Sequence, residues 1–426
     1  MGRPFADTPL RYNVRMETQA RSDVHHVLDL LDEAWVAARI GDVRRFDALV
    51  DCLAARPSRS TAHEIATVLE GAVVSAWSRG WQPADVTRFA DRLLDDCAAL
   101  LLRWVIASES ASYERLGRRV APDWMAQLAA IDAVRSWDAE RPYLVQLGRS
   151  WRDALVAAVH VSGMLQRLRV LPRLVPPPSD WRIGQQRHDS SLPHALLDKV
   201  RALLAKAEST TFEAEAEAFT AKAQELMARH RIDRAVLDAH SGTREEAAGR
   251  RIWIDNPYAD PKFVLLAQIG RANGCRAVFE KHLGFATVFG FPDDLDGVDE
   301  LFTSLLVQAT GALNRAGSKT DAYGRNRTAR FRRSFLLSFA YRIGERLRET
   351  VDATVAAASA DTGMALVPLL RARAEAAEAA LDATFDASEL RSIRLSASDG
   401  EGWVAGRVFA DQADISVAAP IGRESA

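Results

Sequence analysis

The chain has 426 residues, 48% hydrophobic and 26% charged, which suits two or three soluble globular domains and is too apolar for a disordered chain. A formal net charge of -2 excludes a global attraction to nucleic acid or anionic membrane, so binding of either kind needs a local patch. Cys52, Cys97 and Cys275 match neither a disulfide framework nor a C-x-x-C metal pair, and there is no apolar leader and no run of about 18 apolar residues, so the expected setting is cytoplasmic, with no membrane.

In chain order, helical patterns begin at SDVHHVLDLLDEAWVAARIGDVRRFDALVDCLAA, where Ser22 or Asp23 has the chemistry of an N-cap. They continue through STAHEIATVLEGAVVSAWSRG, PADVTRFADRLLDDCAALLLRWVIASE and RDALVAAVHVSGMLQRLRVL, with Gly80 suited to the end of one helix and Pro83 to the first turn of the next. These define an all-helical N-terminal domain over 1–175. Eight of the ten tryptophans (Trp35, Trp77, Trp81, Trp104, Trp124, Trp137, Trp151, Trp181) precede residue 182. Among neighbours that are mostly Ala, Val and Leu, they read as core in preference to an aromatic binding surface. Pro176-Pro177-Pro178-Ser179 and the polar run GQQRHDSS then mark a linker over 176–190.

The stretch 196–232 has a specified residue order. Leu197, Val200, Leu204 and Ala207 recur at helical spacing, with Lys199, Arg201 and Lys206 facing water. Thr210, with Glu213 three residues on, has the spacing of a capping box for a second helix. That helix carries Phe212, Ala216, Phe219, Ala223, Leu226 and Met227 on one side and Glu215, Glu217, Lys222 and Glu225 on the other. Together they make an antiparallel hairpin over 191–240, too small to bury a core alone and so expected to dock on a neighbour. KVRALLAKAES followed by EAEAFTAKAQELMARH closely resembles the family called domain of unknown function 2786, a short module of bacterial and phage proteins. The resemblance implies a domain order, in which a second domain resembling domain of unknown function 7168 follows. Its landmarks here are RANGCRAVFE, FGFPDDLDGVDELFTSLL, RRSFLLSFAYRIGERL, MALVP and GWVAGRVFAD. The resemblance implies no activity.

After the hairpin, Asp233 is expected to cap a short separate helix. From Arg251 the pattern becomes α+β, over 250–415. IWI reads as a strand, Asp260-Pro261 to Gly274 as a helix, and CRAVFE and FATVFGF as a β-hairpin around KHLG. A helix from Val298 to Asn314, a polar loop from Gly317 to Thr328 and a long helix from Phe331 to Ala357 follow. Ala365-Leu366-Val367 reads as a strand halted by Pro368, then comes an alanine-rich helix, and Ile393, Leu395 and Ala397 alternate as in a half-buried strand. Gly402 and Gly406, four apart, allow a close helix contact, and 416–426 is a tail expected to fray. The expected fold class is mainly α, with an N-terminal all-helical domain, a central helical hairpin and a C-terminal α+β domain with a small sheet.

Few residues carry recognisable chemistry. His63-Glu64 begins the zinc-protease motif H-E-x-x-H, but the fifth position is Thr67. His25 and His26 are adjacent and point to different helix faces. Asp293, Asp294, Asp296, Asp299 and Glu300 fail the EF-hand order; an N-cap at Asp296 with Asp299 and Glu300 in the first turn accounts for most of them, and a weak divalent-metal option remains. Cys275 reads as a buried small hydrophobe. Phosphate-loop, dinucleotide, hydrolase and deaminase signatures are absent, so no catalytic residue, metal or cofactor is assigned.

The strongest remaining signal is basic. Between Arg315 and Arg348, ten Lys and Arg residues stand against Asp321 and Glu345. Tyr323 and Phe331 interleave with arginines, which suits phosphate contacts and base stacking. Arg325, Arg327, Arg330, Arg332, Arg333 and Tyr323 are therefore the candidate residues for binding DNA or RNA. The competing reading is a solvated face whose arginines pair with carboxylates elsewhere, such as those of 293–300. The expected function is non-catalytic nucleic-acid binding. The alternatives are a scaffold that holds a protein partner through the N-terminal domain, and an enzyme of unrecognised type in which Cys275, His282, the Asp293 cluster and Ser334 converge in a cleft.

Overall fold

A computed structural model describes residues 9–115, 120–132, 141–148, 150–181, 194–210, 213–241, 246–386 and 395–412 of the chain. It is mainly helical with one small sheet, and it divides into two units, Met1–Arg187 and His188–Ala426. Among the described residues no helix is long and apolar enough to cross a membrane.

The first unit contains α1 (Pro9–Ile40), α2 (Val43–Ala54), α3 (Ser58–Ser78), α4 (Pro83–Leu93), α5 (Asp96–Arg115), α6 (Pro122–Ala130), α7 (Tyr143–Gln146) and α8 (Trp151–Gln166). Helix α1 already runs through Ser22 and Asp23, so neither is its N-cap; no glycine or proline interrupts the chain between Pro9 and Gly41, and helix formers fill that interval. Gly41, at φ 75°, makes the left-handed turn that ends α1, and Asp42 caps α2 by accepting the Arg45 N–H at 3.0 Å. The guanidinium of Arg79 closes the far end of α8, donating to the carbonyls of Leu165 (2.8 Å) and Leu168 (2.7 Å). Trp77, Trp81, Trp104 and Trp124 are buried and Trp35, Trp151 and Trp181 half-buried, which makes them core; Trp137 lies outside the described residues.

The stretch that begins the expected 176–190 linker is packed onto this unit. Pro177 and Pro178 are buried, and a single 3-10 turn, Pro178–Asp180, brings Trp181 edge-on to Trp124. Three successive prolines fix an extended path that lays their apolar rings on the core. Residues 182–190 lie outside the described residues.

The second unit contains α9 (His194–Ser209), α10 (Glu213–Ser241), β1 (Ala248–Trp253), α11 (Ala259–Ala272), β2 (Arg276–Glu280), β3 (Phe285–Gly290), α12 (Pro292–Ala316), α13 (Thr328–Thr362), α14 (Leu366–Thr384) and α15 (Gly400–Gln412). Strand β3 is central and wholly buried, antiparallel to both neighbours, with Ala286 opposite Ile252 on one side and Phe279 on the other. Helices α9 and α10 form a hairpin that packs on α12, α13 and α14. Val200, Leu204, Ala223 and Met227 enter one core with Leu266, Val298 and Phe339. A hydroxyl bond from Thr210 to Glu215 (2.8 Å) sits at the hairpin turn; Phe212 and the side chain of Glu213 lie outside the described residues.

In this second unit, four elements differ from the sequence reading. Helix α10 continues past Asp233, because Ala228, Ile232 and Ala235 prolong its buried stripe while Asp233 faces solvent. Helix α12 starts at Pro292, not at Asp296, since proline at the first helical position needs no N–H acceptor. Ala365-Leu366-Val367 is the start of α14, and Pro368 lies in its first turn, where a missing N–H is tolerated. Residues 395–399 form no strand: the N–H groups of Ser398 and Asp399 donate to the Ser334 hydroxyl, both at 3.1 Å, while Ile393 lies outside the described residues. The Gly402 and Gly406 expectation holds, since a methyl group at either position would overlap the backbone of Phe331 or Phe335 on α13.

Candidate nucleic-acid interface

The polar loop between α12 and α13 is a tight hairpin. Thr320 and Asn326 bridge across it, and Asp321 accepts the N–H groups of Tyr323 and Arg325, both at 2.9 Å, and the Arg325 Nε at 2.8 Å. These bonds, the Arg325 amide first, hold the Asp321 carboxyl below its ordinary value. Tyr323 stands at the tip, 84% exposed, with the Arg325 guanidinium 5.2 Å from its ring centre.

Arg327 is committed inward. It donates to Asp399 at 2.7 Å, to the Thr320 carbonyl at 3.0 Å and to Glu401. Asp399 in turn accepts the Gly402 N–H at 2.9 Å and so begins α15. Lys319 donates to the other oxygen of Glu401 at 2.9 Å. Further along α13, Arg342 pairs with Asp411 and Glu345, Arg346 donates to the Ala410 carbonyl, and Arg348 donates to the Gly344 carbonyl. The carboxylates that neutralise the basic stretch thus come largely from α15 and the residues just before it, not from 293–300.

What remains is the start of α13. Its N-cap position is Arg327, with no side-chain acceptor, and its first turn holds no acidic residue. Arg330 is exposed, Arg332 and Arg333 are half-buried, and among the described residues none of the three makes an ion pair. The Nε of Arg332 is buried without an acceptor. Of the six candidate residues, the structure brings Tyr323 and Arg325 together at the tip, sets Arg330, Arg332 and Arg333 in the first two turns of the helix, and gives Arg327 to α15.

The other candidates are bound up in packing. The acidic residues of α12 form an ionic seam instead of a cap: Asp293 lies 3.0 Å from His230, Asp294 3.5 Å from Arg373, Asp296 2.7 Å from Arg250 and Glu300 2.7 Å from Arg201. Asp294 is raised by burial, against the opposing pull of Arg231 and Arg373. Among the described residues no group of three His, Cys, Asp or Glu side chains could hold a metal. His25, His26 and His63 are exposed, and Glu64 pairs with Arg56 at 2.6 Å. Cys275 is buried beside Asp294, and burial pushes its thiol far up. Ser334 is committed to Ser398 and Asp399, and His282 is exposed on the turn between β2 and β3. The sequence reading missed Glu401 and Asp399, and no local signal marks them, since their partners lie more than 70 residues upstream.

This geometry defines a mainly helical protein whose second unit seats a helical hairpin on a small α+β body. Residues 195–234, which are α9 and the greater part of α10, match the family model described as Protein of unknown function (DUF2786). No curated protein and no solved structure matches the chain.

Proposed function

We propose that this is a non-catalytic nucleic-acid-binding protein that holds the phosphate backbone of DNA or RNA at the start of α13, with Tyr323 stacking on a base. The observation that carries the reading is the charge at that helix end. A positive side chain in the first turn of a helix opposes the macrodipole, at about 0.3–1 kcal/mol, as Arg330 does here with no acidic residue in that turn; Arg332 and Arg333 extend the positive charge into the second turn. Asp321 and Asp399 feel the charge of Arg330, while Arg332 and Arg333 make no ion pair among the described residues, and a local rule broken in this way fits a functional position. The Thr328 N–H already donates to the Asn326 side chain at 2.9 Å, so a phosphate would accept chiefly from the guanidinium groups. Tyr323 and Arg325 add an exposed stacking pair, and base stacking is worth about 1–3 kcal/mol. The same reading takes the domain after the hairpin as one resembling domain of unknown function 7168, and the setting as cytoplasmic, in a bacterial or phage-related context.

The test compares the full chain with two variants on labelled single- and double-stranded DNA and RNA at low salt. Replacing Arg330, Arg332 and Arg333 together by Ser is expected to weaken binding about tenfold or more with little change in Tm. Arg327→Gln is expected to lower Tm first. Equal affinity of the wild type and the triple variant would overturn the reading and move the search to a protein partner of the N-terminal unit.

A further inference from the structure

The N-terminal unit holds a carboxylate that the proposed function does not use. Glu109 on α5 is 4% exposed. One of its oxygens accepts the Trp77 indole N–H at 3.2 Å and the other accepts the Tyr113 hydroxyl. Trp77 lies edge-on to Trp124 with ring centres 5.1 Å apart, Trp124 edge-on to Trp181 at 5.6 Å, and Trp181 edge-on to Tyr113 at 5.5 Å. The five side chains close a ring in which Trp181 has no direct bond to Glu109 but contacts both flanking arms.

Trp181 is the ring member carried by an irregular segment, the strap over 176–181; the others stand on helices. The strap's N–H groups bond within it, Asp180 to the Pro177 carbonyl at 2.9 Å and Trp181 to the Pro178 carbonyl at 3.4 Å, and the Trp181 indole donates to the Pro176 carbonyl at 3.1 Å. The apolar faces of the buried Pro177 and Pro178 and of the half-buried Trp181 seat the strap on the unit.

Around Glu109, α3 presents Glu70, which accepts the Ser108 hydroxyl at 2.8 Å; α5 presents Tyr113; and α7 presents Tyr143, whose hydroxyl lies at Glu70. Asp123 of α6 and Asp180 of the strap are exposed. Among the described residues no lysine or arginine pairs with Glu109. A carboxylate shut from water beside another acid and without a cation favours its neutral form, in which its own O–H turns to the Tyr113 hydroxyl oxygen: burial, helped by Glu70, pushes it up to about 7 in spite of the Trp77 N–H.

We propose that this ring is a proton-operated latch: while Glu109 is neutral it keeps the 176–181 strap seated, and ionisation of Glu109 draws in water and releases the strap. The ionised carboxylate regains hydration only when the ring parts, and the ring parts at its least supported member, Trp181.

The test is hydrogen exchange of the Asp180 and Trp181 amides in the full chain at pH 6 and pH 8, corrected for intrinsic rates. A group titrating at about 7 when closed and near its ordinary 4.5 when open raises the opening constant about tenfold over that interval. Glu109→Gln, which keeps the acceptor and never charges, is expected to show the same protection at both pH values. Should that variant fail to fold, the wild type decides alone. Corrected exchange that is equal at pH 6 and pH 8 overturns the latch, and so does a tenfold rise that persists in Glu109→Gln.

Discussion

Glu401 determines how the basic loop is read. It is half exposed, it bridges Lys319 and Arg327, and those two cations, Lys319 first, hold its carboxyl below the ordinary value. Its carboxylate occupies a place that a phosphate oxygen could take. Glu401→Gln should therefore tighten nucleic-acid binding severalfold at low salt by freeing Lys319, and a titration showing unchanged or weaker binding would count against phosphate recognition there. Arg373 makes a different case. It is buried, donates to Asp238 at 2.7 Å, approaches Asp294 at 3.5 Å and lies 3.6 Å from the ring centre of Phe291. Arg373→Met leaves Asp238 without its cation and Asp294 with Arg231 alone, and denaturant unfolding should show a loss of about 3–5 kcal/mol. A loss under about 1 kcal/mol would mean that the seam is not holding α14 to the hairpin. Glu109 sets a pH dependence of the opposite sign to the usual carboxylate. Its folded value of about 7 exceeds the ordinary 4.5, so the folded state binds the extra proton between them. Its contribution is fully present below pH 4.5 and is lost as pH rises through 7, by about 3 kcal/mol. Glu109→Gln should accordingly raise Tm more at pH 8 than at pH 5; an equal shift at both would remove the group from the account.

Helix α13 is the spine of the second unit. Phe331, Phe335 and Phe339 stack along it at ring-centre distances of 6.4 and 6.3 Å, and Phe409 of α15 packs against the last two. The approach depends on Gly402 and Gly406, so Gly406→Ala should cost about 1–3 kcal/mol by driving a methyl into the Phe335 carbonyl; an unchanged midpoint would show that α15 can slide away. This contact was legible because two glycines one turn apart have a geometric meaning that needs no knowledge of the partner. The hairpin was legible for a similar reason, with Leu197, Val200, Leu204 and Ala207 fixing a face by periodicity alone. The start of α12 was not. Asp296 followed by Asp299 and Glu300 has the local chemistry of a capped helix start, and only the distant Arg250 and Arg201 reveal Asp296 and Glu300 as ion-pair partners. Pro368 misled in the same way, since a proline that halts a strand is also a proline allowed in the first turn of a helix.

For the whole molecule, a net charge of -2 hides a strongly uneven distribution. The sequence showed where the positive charge lies but not which part of it is free. Asp399, Glu401 and Asp411 neutralise Arg327 and Arg342 from positions that only the fold brings near, and they leave Arg330, Arg332 and Arg333, in the first two turns of α13, without an ion pair among the described residues. If this remainder binds a phosphate backbone as proposed, the affinity of the full chain for a labelled oligonucleotide across a salt series reports it directly. With three or four phosphate contacts, log K should fall linearly with log salt with a slope of about -2 to -4. No binding at low salt, or an affinity indifferent to salt, would contradict it.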